Sequence, residues 1–225
     1  MPPIATLALP ASVAPVPAVP LTPSSFSKFG GVISSLHQLS TMPSVSANYG
    51  TATKITRVTP FANNYPGNAS SGAPASTNFN LFRSSYPAHM IRATAMEGGF
   101  VCEAGVLEQH PFSTQTFLPM GVHAGDIAYL VICAQAGPDG LPDLTTVEAF
   151  LANGNQAVTY GPGTWHAPMI SLKEVIDFGV LINENGVALE DCREVHIAPR
   201  IPIAYSIPTA TTGTAATASG TQSNL

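Results

Sequence analysis

The 225-residue chain carries 8 Lys+Arg against 13 Asp+Glu, a net charge of −5, and only 9% of its residues are charged, against roughly 25% in an ordinary soluble domain. That balance argues against a nucleic-acid partner, which needs a basic stripe to displace counterions from phosphates. No apolar run approaches the ~20 residues that span a bilayer, and the 45% apolar share supplies the core of one sizeable domain.

In chain order, residues 1–21 are rich in Pro, Ala and Val and read as an extended lead-in. Thr22-Pro23 offers a capping hydroxyl and a proline at a first helical position. Phe26 and Phe29 share a face and Gly30-Gly31 ends the run, so a short helix is expected there. Asn63 to Asn80, crowded with Asn, Ser, Gly and Ala, reads as a long surface loop. Phe100–Ala104, Thr114–Leu118 and Ile127–Ala134 are short β-branched or aromatic runs. Asp143 is placed to cap a second helix carrying Leu144, Val147, Phe150 and Leu151 on one stripe and stopped near Gly154. Gln156–Tyr160 and Phe178–Ile182 are further strands, and Gly or Pro punctuates the series.

Many short strands separated by turn signals predict a mainly β sandwich or jelly-roll barrel with a few short peripheral helices. The tail at 207–225 is mostly Thr, Ala, Ser and Gly and buries too little apolar area to offset its ordering entropy, so disorder is expected. The organisation is therefore a lead-in (1–21), one domain (22–206) and a tail (207–225). Cys102, Cys133 and Cys192 form no CxxC pair and fit a reducing compartment. The N-terminus has no positively charged export region, so the cytoplasm is the expected location and Asn68-Ala69-Ser70 is read as a silent sequon.

No GxSxG, phosphate-binding GxxxxGK[ST] or GxGxxG is present. Two segments stand out, Leu107 to Gly121 and Asn155 to Pro168. Each joins a β-patterned stretch to a histidine beside a rigid turn, and in a barrel the period of two aims alternate side chains inward. They resemble the two motifs of the cupin superfamily. In the metal-binding pattern two histidines, a glutamate and a second-motif histidine face the ion. Here Glu108 stands in place of the first histidine, His110 takes the second, Gln115 replaces the glutamate and His166 falls at the last. A Glu/His/Gln/His set has the donors for a divalent ion, although a neutral amide is a poor ligand.

At family level the string His110-Pro111-x-x-Thr114-Gln115-x-Phe117-x-Pro119, then Pro142-Asp143-Leu144-x-Thr146, then Gln156-x-Val158-x-Tyr160 and Trp165-His166-x-Pro168 resembles the ureidoglycolate lyase family, formerly called ureidoglycolate hydrolase. Phe29-Gly30-x-Val32-Ile33, Asn48-x-Gly50, Asn80-Leu81-Phe82-Arg83 and Asp191-Cys192 extend the resemblance over roughly residues 22–196. It implies a cupin-like double-stranded β-helix, a homodimer, and cleavage of (S)-ureidoglycolate to glyoxylate and urea in allantoin breakdown.

That cleavage needs a base at the substrate hydroxyl and an acid at the departing nitrogen, and chemically requires no metal. His166 and His110 are the first candidates for acid, base or orienting group. Glu108 either orients His110, acts as base, or is an outward solvated carboxylate. Arg83 is the first choice for the substrate carboxylate, because its fork binds carboxylates bidentately, with Arg57, Arg92 and Lys54 as competitors and a surface ion pair as the plain alternative. Gln115 and Asn48 have donor and acceptor for a ureido group. Tyr160 either donates its phenol or closes the barrel end, and Trp165 either walls the site or packs the core. Two other readings compete: a non-catalytic cupin module binding a small carboxylic acid, and a metal-dependent cupin enzyme.

Overall fold

A computed structural model describes residues 3–208; the tail from 209 onward lies outside the described residues. The strands are β1 (Ala5–Ala8), β2 (Val16–Pro20), β3 (Gly30–Ser34), β4 (Val45–Ala47), β5 (Ala52–Lys54), β6 (Ser76–Ser85), β7 (Ile91–Ala93) and β8 (Gly99–Gln109). They continue as β9 (Gln115–Met120), β10 (Ile127–Ala134), β11 (Glu148–Asn153), β12 (Gln156–Tyr160), β13 (Trp165–His166), β14 (Ile170–Ser171), β15 (Val175–Glu184) and β16 (Arg193–Ser206). Two short helices, α1 (Ser35–Thr41) and α2 (Ala188–Asp191), sit at the periphery. This is the mainly β barrel that the strand pattern predicts, in the cupin-like form that the resemblance implies.

The larger sheet runs β1-β16-β2-β11-β10-β13-β8-β7, and β16 also pairs with β8, so β16, β2, β11, β10, β13 and β8 close on themselves. A second, antiparallel sheet runs β3-β12-β9-β15-β6. The alternation of β10 explains how one strand serves both layers. Leu130, Ile132 and Ala134 point into the closed barrel with Leu107, Trp165, Val195 and Ile203. Tyr129, Val131 and Cys133 point the other way, into a second core with Phe117, Phe150, Val158, Tyr160 and Phe178 between the two sheets. Because both faces are covered, β10 reads as a continuous apolar run.

The expected helix after Asp143 is not formed. Asp143 does cap, its carboxylate accepting from the Thr145 amide at 2.9 Å, but only a 3-10 turn over Leu144–Thr146 follows. From Glu148 the chain is strand β11, with Ala149 facing the barrel and Phe150 and Ala152 the second core. The spacing of Phe150 and Leu151 served the period of two, not 3.6. The Thr22–Phe29 segment is likewise a chain of turns. Thr22 Oγ1 accepts from the Ser25 amide at 3.0 Å and Phe26 N–H reaches Thr22 O at 3.1 Å, yet no helix propagates. Its aromatic pair is instead used against Phe150, with ring centroids 5.4 Å and 6.0 Å away.

The loop expected over 63–80 ends earlier, because Ser76 to Asn80 begin the edge strand β6 on β15. The lead-in is extended, and it is built into the barrel: β1 pairs in parallel with β16, and β2 with β11 and β16.

Candidate active site

The two motif segments meet at one end of the gap between the sheets. Glu108 and His166 are register partners on β8 and β13, and Gln115 and Tyr160 are register partners on β9 and β12. His110 follows β8 directly, where Pro111 cannot continue the ladder. Two bonds tie the segments: Gln109 Nε2 donates to Gly163 O at 2.7 Å, and Gly163 N–H donates to His110 O at 2.8 Å. The connecting turn closes with Thr164 N–H on Gly161 O at 3.1 Å. Pro162 precedes Gly163, whose φ of +77° suits glycine at that position.

Both imidazoles present Nε2 to the gap. A carbonyl only accepts, so the 2.6 Å contact of His110 Nδ1 with Asp191 O places the proton on Nδ1 and leaves Nε2 a lone pair. That Nε2 is buried with no protein partner. His166 Nδ1 donates in the same way to Thr164 O at 2.9 Å. Its Nε2 lies 3.2 Å from Gln115 Oε1 and 3.4 Å from Glu108 Oε1. The Tyr160 ring stacks on His166, centroids 3.8 Å apart at 12°, and the Tyr160 hydroxyl is buried without a partner.

Burial alone raises the Glu108 carboxyl, but the bond to His166 and the charges of His166 and His110 hold it below its ordinary value. Burial, reinforced by His166, depresses His110 against the opposing pull of Glu108 and the Asp191 carbonyl. Burial pushes the Tyr160 phenol well up, so it remains a donor.

Glu108, His110 and His166 each offer a ligand atom within 4.8 Å of the others. The orphaned His110 lone pair, the carboxylate oxygen and the nearby Gln115 oxygen make a donor-rich cradle that fits a divalent ion.

Three of the expected site residues lie elsewhere. Arg83 is on the outer face of β6, its side chain 71% exposed and forked onto Asp177 through Nε and Nη2 at 2.7 and 2.8 Å. The alternation of β6 turns Phe82 toward Phe117 and therefore turns Arg83 out. Trp165 is fully buried inside the closed barrel, on the face of β13 opposite His166, with Nε1 donating to Gly140 O at 3.1 Å. Asn48 is exposed in the β4–β5 hairpin, at a φ of +48°. Among the described residues no Lys or Arg bonds to any side chain of the cluster. A cleft of about 540 Å³ lined by Met90, Val106, Ile170 and Arg200 is separate and contains none of the cluster.

Sequence reasoning missed Tyr65 and Glu190. Tyr65 OH donates to Asp191 Oδ1 at 2.6 Å, and Glu190 accepts from Ser70, Ser71 and Asn185. The loop composition around 63–72 hid Tyr65; beside Glu190 the one available signal was Asp191-Cys192, for which no chemistry could be assigned.

The family model described as ureidoglycolate lyase matches residues 13–204. The ureidoglycolate lyase of Saccharomyces cerevisiae is 42% identical over 185 residues, covering 78% of this chain and 91% of its own. That of Schizosaccharomyces pombe is 38% identical over 173 residues, covering 77% and 86%. A putative ureidoglycolate lyase of Agrobacterium fabrum is 37% identical over 97 residues, 43% of this chain and 56% of its own. The match begins inside the lead-in and runs almost to the end of β16, so it takes in every strand but β1 and every side chain of the cluster. With the family model spanning most of the chain and both fungal relatives matching it nearly end to end of their own length, the chain belongs to the ureidoglycolate lyase family.

Proposed function

We propose that this protein cleaves ureidoglycolate to glyoxylate and urea, a step of allantoin and purine nitrogen breakdown, by general acid–base elimination at the Glu108/His110/His166 cluster. The observation that carries the reading is the unpartnered Nε2 of His110, a lone pair buried beside a second imidazole. His110 takes the hydroxyl proton of the substrate as the carbonyl of glyoxylate forms. The pair of electrons released from that O–H bond expels the ureido nitrogen, which leaves as urea once it gains a proton. His166 supplies that proton from Nε2. With Nδ1 already donating to Thr164 O, a second proton makes the ring an imidazolium, which Glu108 balances and the Tyr160 ring stacks against. Each positioned acid or base is worth about 10²–10⁴ in rate. The Gln115 amide and the free Tyr160 hydroxyl are the donors proposed for the ureido and carbonyl oxygens.

A second reading rests on the donor-rich cradle. A divalent ion held by Glu108, His110 and His166, with Gln115 alongside, would supply Lewis-acid polarisation of the substrate oxygens. Turnover measured before and after chelation, with metal content determined on the same sample, separates the two. The expected outcome of the activity assay is glyoxylate and urea in equal amounts; ammonia and carbon dioxide in place of urea would overturn the proposal. His166→Ala is expected to lower kcat by about 10²–10⁴ with the fold retained, and wild-type turnover in that variant would remove His166 from the mechanism.

We also propose a cytoplasmic homodimer. Three free cysteines support the location. The pairing surface is the outer face of the second sheet, where Phe79 and Leu81 of the edge strand β6 and Met120 of β9 stand exposed. Among the described residues no helix is long and apolar enough to cross a membrane.

A further inference from the structure

The Asn63–Gly72 loop and the α2 turn are joined to each other by polar contacts, and the proposed chemistry leaves both without a role. Tyr65 is 3% exposed, its ring set 5.4 Å from Phe112. Its hydroxyl donates to Asp191 Oδ1 at 2.6 Å, and the same carboxylate accepts from the Asn185 and Gly186 amides at 2.7 and 2.8 Å. Asp191 is therefore held by three donors from two segments. Its own backbone oxygen is the acceptor that His110 Nδ1 donates to, at 2.6 Å. The loop is in turn anchored beside the histidine: Asn64 N–H donates to Phe112 O at 2.7 Å, and Thr114 N–H to Ala62 O at 3.2 Å.

Resting on the reading of His110 as the proton acceptor, we propose that Tyr65 and Asp191 are positioning residues for it. The pinned Asp191 carboxylate fixes the carbonyl behind it, that carbonyl fixes the Nδ1–H tautomer, and the tautomer sends the Nε2 lone pair into the gap. Neither residue touches the reacting atoms. Freed from this arrangement, the imidazole can rotate or take its proton on Nε2, and either change removes the acceptor from its place.

Tyr65→Phe tests this, because it keeps the ring against Phe112 and deletes only the hydroxyl. The expected result is a kcat lowered about ten- to hundredfold with KM little changed and cooperative thermal unfolding retained. Imidazole nitrogen NMR should report a single Nδ1–H tautomer for His110 in the wild type and a mixture in the variant. A merely structural Tyr65 would lower the unfolding temperature and leave the tautomer alone. Wild-type kcat with an unchanged His110 tautomer in Tyr65→Phe overturns the positioning role while leaving the proposed reaction standing. Full turnover in His110→Ala overturns the assignment of His110 itself, and the positioning role with it. Should Tyr65→Phe not fold, Asp191→Asn carries the same two readouts.

Discussion

His110 and His166 meet the gap through Nε2 because in both rings Nδ1 is committed to a backbone carbonyl, that of Asp191 in one and of Thr164 in the other. The same logic of prior commitment removes Arg83 from the site. Its guanidinium is already spread over both oxygens of Asp177 on the outer face of the sheet, away from the cluster of the same chain, and an exposed ion pair of this kind contributes little to stability. Arg83→Ala is accordingly expected to leave kcat/KM within about twofold of wild type, with little change in the urea denaturation midpoint. A loss of orders of magnitude in kcat/KM on steady-state assay would show that the side chain reaches the substrate. Trp165 follows the same rule of alternation: being next to His166 in sequence puts it on the other face of a strand.

At the scale of the element, the turn Gly161–Thr164 is the connection on which the site depends, since it carries both Gly163, bonded to Gln109 and His110, and the carbonyl that fixes His166. A Cβ at Gly163 meets only the Gln109 amide, 3.9 Å away, so the cost of substitution is conformational. Gly163→Ala places an L side chain at φ +77°, expected to destabilise by about 1–2 kcal/mol. A urea denaturation midpoint equal to wild type would contradict it. The strands at Ile127–Ala134, Gln156–Tyr160 and Phe178–Ile182 were legible because β-branched and aromatic residues ran between Gly and Pro. The Asp143 segment was not, because a capping aspartate and apolar residues three or four apart also satisfy a 3-10 turn leading into a strand buried on both faces. His110, His166, Glu108, Gln115 and Tyr160 could be found together because two motif segments bracket rigid turns. Arg83 lies away from the cluster of its own chain, because residue identity at an edge strand does not say which face the side chain takes. Tyr65 escaped because its function runs through another residue's backbone oxygen, which leaves no residue-type signature.

For the whole molecule, acid stability is set in part at Glu190, a buried carboxylate at the junction of loop and barrel. Hydrogen bonds from Ser71 and Asn185 hold it down at about 2, from an ordinary 4.5. The folded state therefore binds fewer protons than the unfolded state in that interval. The contribution is complete above pH 4.5 and is lost as the pH falls toward 2. Glu190→Gln is expected to lower stability at neutral pH and to flatten its fall between those values, measured by denaturant titration at several pH values. A parallel acid limb in wild type and variant would contradict the assignment. For the proposed dimer, Leu81→Arg on the exposed outer sheet face is expected to give monomers in sedimentation analysis, and an unchanged mass would move the interface elsewhere.

The pairing of β1 with β16, Ala5 opposite Val195, and of β2 with both β11 and β16 also dictates when the barrel can form. Strands β1 and β2 are synthesised long before the partners they pair with, β11 for one of them and β16 for both. Such distant pairing slows folding, and until it happens the rows of backbone donors and acceptors on β11 and β16 stay uncovered. A newly made chain is thus most exposed to aggregation in the interval before β1 and β2 dock, and a chain lacking both strands would never leave it.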